Sequence, residues 1–257
     1  VTSGGSGTAA GQYTLTIEGA GNYKGTVTKT WIITPLTVSV DLQRVKLNSK
    51  VYDGTTAGSS DDVPSVEFKG LSGQPVTLTK GTDYTIESVT YTDANVTKKE
   101  QNVDVEVMLR NRNYTFAANQ RTATVTKQGK ITKATAPGTG EVSDNLYVVN
   151  NKADSYTLDL SKLLPTLSGV CDYGEIKYTR VKDAFFMLGD YDAGSPISIL
   201  PDGTLTLTIK DANTTPVGGT ICTGQIKVTT QNYEDITLTI NVIASAAEKT
   251  DPTYDQP

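Results

Sequence analysis

The chain has 257 residues, a formal net charge of −5 and no histidine, with 37% hydrophobic and 20% charged residues. A mildly acidic balance excludes the basic face that nucleic acids and anionic membranes attract. Without histidine, and with only two cysteines, the commonest zinc ligands and the commonest general base are largely missing.

Threonine makes up roughly one residue in six, well above ordinary usage, and its branched side chain suits the wet face of a half-buried sheet. No stretch carries a helical apolar period, and no apolar run is long enough to span a bilayer. The chain starts at Val1 and carries no signal peptide, so it reads as a fragment, and the absence of export and anchoring signals from it decides nothing.

In residues 1–37, the start Ser3-Gly4-Gly5-Ser6-Gly7 is expected to be flexible. Tyr13, Leu15 and Ile17 then alternate with Thr14, Thr16 and Glu18. Gly19-Ala20-Gly21-Asn22 breaks that run, a second alternating run covers 27–33, and Pro35 ends it. The reading is two strands joined by a tight turn, the closing strands of an incomplete Ig-like module. Two strands alone are marginal in water, so this pair is expected to pack on the next module or complete its sheet. Trp31, the only tryptophan, is expected in a core rather than on a sugar-binding platform. The Asn-Tyr pair at 22–23 returns at 113–114 and 232–233, at intervals near a hundred residues, the size of an Ig-like domain.

Residues 38–135 form a β-sandwich module, with strands expected at 65–68, 76–79, 84–91, 103–109 and 122–126. In the clearest of them, Val103, Val105, Val107 and Leu109 alternate with Asp104, Glu106 and Met108. Tyr52-Asp53-Gly54, within 50–56, is a turn-forming set near the start of this module.

This motif resembles the opening of the bacterial YDG modules. The stretches Asn95-Val96-Thr97, 102–109 and Asn113-Tyr114-Thr115-Phe116 resemble the closing half of that family. Residues 11–33 are similar to the end of the related MBG and Ig-like repeats of bacterial adhesins. The resemblance covers about the first half of the chain. It implies a repeat segment of a bacterial surface protein, extracellular and without catalytic residues.

Residues 136–245 form a second, divergent Ig-like sandwich after the linker-like stretch 136–140, and residues 246–257 read as a linker or disordered tail. Strands are expected at 147–150, 156–160, 176–181, 197–200, 204–210, 225–230 and 236–242, with Pro201-Asp202-Gly203 as a turn. The fold class is thus all-β, as tandem Ig-like antiparallel β-sandwich modules. Cys171 and Cys222 both fall in this last module and are a disulfide candidate in an exported protein, with two unpaired thiols as the alternative. Closing that loop would stabilise by about 4 kcal/mol.

Asp190-Tyr191-Asp192, Asp61-Asp62 and the Asp-Ala-Asn triplets at 93–95 and 211–213 offer oxygen ligands for calcium, but Asp and Asn are equally turn formers. No metal or other cofactor is expected. There is no Gly-x-Ser-x-Gly elbow and no phosphate loop, so no enzyme activity is expected. No motif marks a Lys–Asn isopeptide bond. Tyr147, Tyr178, Phe185, Phe186 and Tyr191 are the candidate binding aromatics, for rings that stack on sugar; filling a core is their other use.

The function these observations point to is a non-catalytic stalk or spacer of a cell-surface adhesin-like protein. The alternative is that residues 136–245 bind a carbohydrate or host protein. Partners are neighbouring modules of the same protein and, on the alternative, a host glycan or extracellular protein. Neither nucleic acid nor direct membrane insertion is expected.

Overall fold

A computed structural model of the chain describes residues 3–147, 154–187, 197–209 and 220–245. The fold is all-β, built of several sheets that are mostly antiparallel, with no α-helix among the described residues. The chain divides into two compact units: unit 1 holds Val1–Lys50 and Thr55–Ile131, and unit 2 holds Val51–Gly54 and Thr132–Pro257. Unit 1 thus takes in the stretch 1–37 that the sequence sets apart, and it gives up four residues around the Tyr-Asp-Gly motif.

In unit 1, β1 (Gly11–Glu18) and β2 (Thr26–Ile33) form a two-stranded antiparallel sheet of their own. The expectation that this pair completes the neighbouring sheet is corrected. Its flanks are instead hydrogen-bonded to a distant part of unit 1: Ala10 N–H donates to Asn113 Oδ1 at 2.7 Å, and Leu36 N–H donates to the Asn113 carbonyl at 2.8 Å. The Gly/Ser start is not a loose leader either. Ser3 bridges Thr16, and Trp31 Nε1 donates to the Gly4 carbonyl at 3.1 Å. Glycine permits this return, because a Cβ on Gly7 would stand 2.6 Å from the Tyr13 ring. Trp31 stacks on Tyr13 with ring centroids 4.7 Å apart and is half-buried.

The rest of unit 1 is a sandwich. One sheet contains β3 (Leu36–Val40), β6 (Phe68–Gly70), β7 (Pro75–Val76) and β10 (Tyr114–Thr115). The other contains β5 (Ala57–Gly58), β8 (Tyr84–Tyr91), β9 (Gln101–Leu109) and β11 (Thr122–Gly129). Val103, Val105, Val107 and Leu109 are buried while Asn102 and Asp104 are exposed, as a one-sided strand requires. Phe68 of the first sheet meets Tyr84 of the second edge to face at 4.9 Å, which places the core between the sheets. The short strands β4 (Lys50–Val51) and β12 (Ile131–Thr132) lie where the chain changes unit. Lys50 N–H donates to the Lys130 carbonyl in unit 1, and Tyr52 N–H to the Thr132 carbonyl in unit 2.

Unit 2 pairs a four-stranded sheet with a three-stranded one. The first orders β13 (Gly140–Tyr147), β19 (Ile236–Ser245), β18 (Thr220–Thr230) and β15 (Ile176–Met187). The second orders β14 (Asp154–Asp159), β17 (Thr204–Ile209) and β16 (Ile197–Ile199). Ile226, Val228, Ile236, Leu238, Ile240 and Val242 form the core with Leu160 and Leu205. The expected linker 136–140 is shorter than its glycines suggest. Ala136 packs against this core, and Gly140 opens β13, which runs parallel to β19 from Gly140↔Leu238 to Tyr147↔Ser245. Gly140 suits that position because a Cβ there would stand 2.2 Å from the Leu163 carbonyl oxygen. The tail 246–257 lies outside the described residues.

All three Asn-Tyr pairs occupy the connection that follows one long strand and precedes its antiparallel partner: β1 to β2, β9 to β11, and β18 to β19. The repeat read from sequence is therefore a repeated place in the fold.

Candidate functional site

A polar cluster in unit 2 surrounds Tyr52. The Tyr-Asp-Gly motif is not a surface turn of unit 1, as its Asp-Gly pair suggests; Tyr52 is only 5% exposed. Its hydroxyl donates to the Asp172 carbonyl at 3.2 Å and accepts from the Asp172 N–H at 3.0 Å. Its ring meets Tyr233 edge to face at 5.5 Å, and Tyr173 meets Tyr233 at the same distance. Tyr173 donates to the Pro165 carbonyl at 2.6 Å.

Gly54 closes the motif at φ +78°, where a Cβ would stand 3.0 Å from the Val170 carbonyl oxygen. The left-handed φ favours glycine, and a side chain there would press closely on the Val170 backbone. Asn232 is fully buried, and its side-chain amide donates to the carbonyl and carboxylate oxygens of Asp172 at 3.3 and 3.1 Å. Gln231 and Asn232 N–H groups both donate to the Tyr173 carbonyl.

Burial sets the electrostatics. It pushes the Tyr233 hydroxyl up to about 12, with the Cys171 thiol and the Tyr52 and Tyr173 hydroxyls adding to the shift. Burial raises Tyr52 and Tyr173 as well. Phenols held protonated in this way cannot act as bases at neutral pH.

Cys171 is a free, half-buried thiol, so the expected bond to Cys222 is not made. The geometry explains why. Cys171 sits two residues before Tyr173, beside the connection that follows β18, whereas Cys222 lies near the start of β18 opposite Val242. At ~3.3 Å per residue the two are separated by roughly 25 Å of strand, and a disulfide needs Cα atoms within about 7 Å.

Tyr178 does not join a surface platform. It packs against the unit 2 core, and its ring covers Gly203. Burial raises its hydroxyl, with Asp159 and Asp202 nearby adding to the effect. Phe185 and Phe186 fall on β15 opposite Gly224 and Thr223, and Tyr147 closes β13. The side chains of these three residues, and all of Tyr191, lie outside the described residues. Among the described residues no three Asp, Glu, Cys or His side chains are grouped to hold a metal ion. Asp93 Oδ1 accepts from the backbone and side chain of Asn95, the behaviour of a turn former.

Sequence reading singled out Tyr52, Gly54 and the Asn-Tyr pair, but not that the motif meets the last of those pairs. Asp172 and Tyr173 carry no sequence signal that would have joined them to Tyr52.

No protein-family model matches the chain, and no curated protein matches it. Among solved structures it is similar to the EC3-6 fragment of protocadherin gamma B7, solved as a cis-dimer. The identity is 10% and the TM-score 0.32, over 91% of this chain and 56% of that one. It is also similar to extracellular cadherin domains 3-6 of protocadherin gamma B2, at 12% identity and TM-score 0.32, over 93% of this chain and 58% of that one. Domains 4-9 of the surface layer protein SbsC match at 16% identity and TM-score 0.20, over 84% of this chain and 31% of that one. The chain therefore spans less than two thirds of each of these structures. Among the described residues no helix is long and apolar enough to cross a membrane.

Proposed function

We propose that the chain is a non-catalytic spacer segment of a bacterial cell-surface adhesin-like protein, built from modules of the YDG and MBG kind. The observation that carries this reading is the parallel pairing of the first and last strands of unit 2. β13 and β19 run side by side in the same direction from Gly140↔Leu238 to Tyr147↔Ser245. A chain whose terminal strands are parallel enters a unit at one end and leaves at the other, which suits modules strung in series. Tension along the chain then loads the rungs of that ladder together, in shear, rather than opening them one at a time. The Tyr-Asp-Gly motif and the recurring Asn-Tyr connections support a repeat origin, and extracellular placement follows from that origin.

The alternative, a ligand-binding unit 2, gains no support from the described aromatics, because Tyr178 faces the core. Single-molecule pulling on the full chain tests the spacer reading. Unit 2 should resist as one cooperative high-force step. Gradual extension without a force peak would overturn the mechanical reading. Saturable binding to a glycan or matrix-protein array, lost in Tyr178→Ala with the fold intact, would replace it with the binding one.

A further inference from the structure

We infer, independently of the spacer reading, that the outer edge of β2 is a self-association surface, and that its partner is β2 of a second copy of this chain, antiparallel to it about Thr30.

The register of the hairpin decides which backbone groups are free. Thr16 stands opposite Thr28, and its N–H points away from β2, to the Ser3 carbonyl at 3.1 Å. In an antiparallel ladder, pairs that bond to each other alternate with pairs that point away. The pairs bonded across the hairpin are therefore Ile17↔Val27, Leu15↔Lys29 and Tyr13↔Trp31. The N–H and C=O groups of Thr26, Thr28, Thr30 and Ile32 point outward from β2. Among the described residues β1 is the only strand paired with β2, so no ladder takes these groups up. The outer edge of β1 is partly closed by Ser3, which leaves β2 as the barer edge. An eight-residue edge of this kind is a template for another strand.

The sequence of that edge fits its own reverse. With Thr30 of each copy facing the other, Val27 of one copy meets Ile33 of the other, Lys29 meets Trp31, Thr28 meets Ile32 and Thr26 meets Thr34. The outward groups of Thr28, Thr30 and Ile32 then face the outward groups of Ile32, Thr30 and Thr28. The two faces also stay matched, since side chains alternate along a strand. Val27, Lys29, Trp31 and Ile33 share one face, and Thr26, Thr28, Thr30 and Ile32 the other. Val27 is 57% exposed and Ile32 65%, so both have apolar surface to bury. Lys29 is exposed and Trp31 half-buried, which lets the ammonium reach the open part of the indole.

Lys29 fixes the register. An alignment centred on Lys29 sets two ammonium groups directly opposite, which is unfavourable. One centred on Thr28 leaves Trp31 opposite Gly25, with no side chain to meet it. The pair is a small contact, of the weak and transient class.

The test is sedimentation of the full chain over a range of concentration at low salt, with hydrogen exchange read on the same samples. The parent should dimerise as concentration rises. The Thr28, Thr30 and Ile32 amides should then slow, while those of Lys29 and Trp31, already bonded to β1, stay unchanged. Thr30 is exposed and faces itself across the pair, so Thr30→Lys and Thr30→Glu each set like charges opposite one another and leave the hairpin intact. Each variant alone should dimerise about fivefold more weakly than the parent, and an equal mixture of the two should regain the parent's affinity. A parent that stays monomeric up to about 1 mM would overturn the inference. So would a dimer that both charge variants form undiminished, or one in which Thr28, Thr30 and Ile32 exchange at the monomer's rate.

Discussion

The hairpins β1–β2 and β18–β19 are written in the same sequence style, and the structure treats them differently. Each is an alternating strand, a connection with an Asn-Tyr pair, and a second alternating strand. In β18–β19 the apolar face is fully buried, from Ile226 and Val228 through Ile236, Leu238 and Ile240. In β1–β2 the matching face lies half open: Ile17 is 43% exposed and Val27, its cross-strand partner, 57%. The Asn-Tyr tyrosines differ in the same sense. Tyr23 is 80% exposed, while Tyr233 is buried against Tyr52 and Tyr173. Alternation creates a face, and it says nothing of whether another layer covers it. β18 gains its layer from β14, β16 and β17; over Tyr13 and Trp31 of β1 and β2 the described residues place the returning Gly/Ser start.

The strongest way to break that comparison is to truncate both faces. Leu238→Ala should cost unit 2 about 4 kcal/mol, since it opens a cavity in a covered core. Ile17→Ala should cost about 0.5 kcal/mol, because water already reaches that side chain. Hydrogen exchange at Ile226 and Val228, and at Thr16 and Lys29, reads the two effects. Equal losses would show that the first hairpin is covered after all.

Glycine substitution gives the next contrast. Gly174 has φ +64°, and a Cβ there would stand 2.6 Å from Gln231 Oε1 in the connection of the covered hairpin. Gly21 has φ +68° with open space around it. Gly174→Ala should therefore cost about 3 kcal/mol, from backbone strain plus crowding, and Gly21→Ala about 1 kcal/mol from strain alone. Thermal unfolding of each variant checks the ratio.

Alkaline pH should act on unit 2. The folded pKa of Tyr233, about 12, lies above the ordinary 10.0, so the folded state favours the neutral phenol. The stability this contributes is complete below pH about 10 and is lost as pH rises towards about 12. Unit 2 exchange should accelerate in that window, and Tyr233→Phe should reduce the pH dependence there, leaving the share contributed by the raised phenols Tyr52, Tyr173 and Tyr178.

The smallest effect concerns the connection itself. Lys227 Nζ lies 2.6 Å from Asp235 Oδ2, both partly exposed. The bond to Lys227 is the main reason the Asp235 carboxyl is held below its ordinary range. A depressed carboxylate stabilises above its unfolded pKa, and that contribution is lost as pH falls below about 4. Asp235→Asn should cost about 0.5 kcal/mol at neutral pH and nothing in high salt.

Much of the fold was legible because strand alternation is a local property. Val103, Val105, Val107 and Leu109 announce one buried face, and β8 occupies the stretch 84–91 read from its pattern. The stretch 136–147 was harder. A parallel strand such as β13 is defined by its partner β19 nearly a hundred residues later, and its own Gly and Asp content reads as a linker. The cysteines misled for a related reason: membership of one module does not bring two residues to the same end of a strand.

The sequence by itself determined the all-β class, the near-hundred-residue repeat, the lack of histidine chemistry and the identity of Tyr52, Gly54 and Tyr233 as marked positions. These follow from side-chain period, composition and turn chemistry, which need only neighbours along the chain. The tertiary structure alone decided that Val51–Gly54 belongs to unit 2, that Cys171 stays free, and that one hairpin is covered while its counterpart is half open. Each of these depends on which distant backbone comes within hydrogen-bonding or van der Waals reach, and no local pattern encodes that distance.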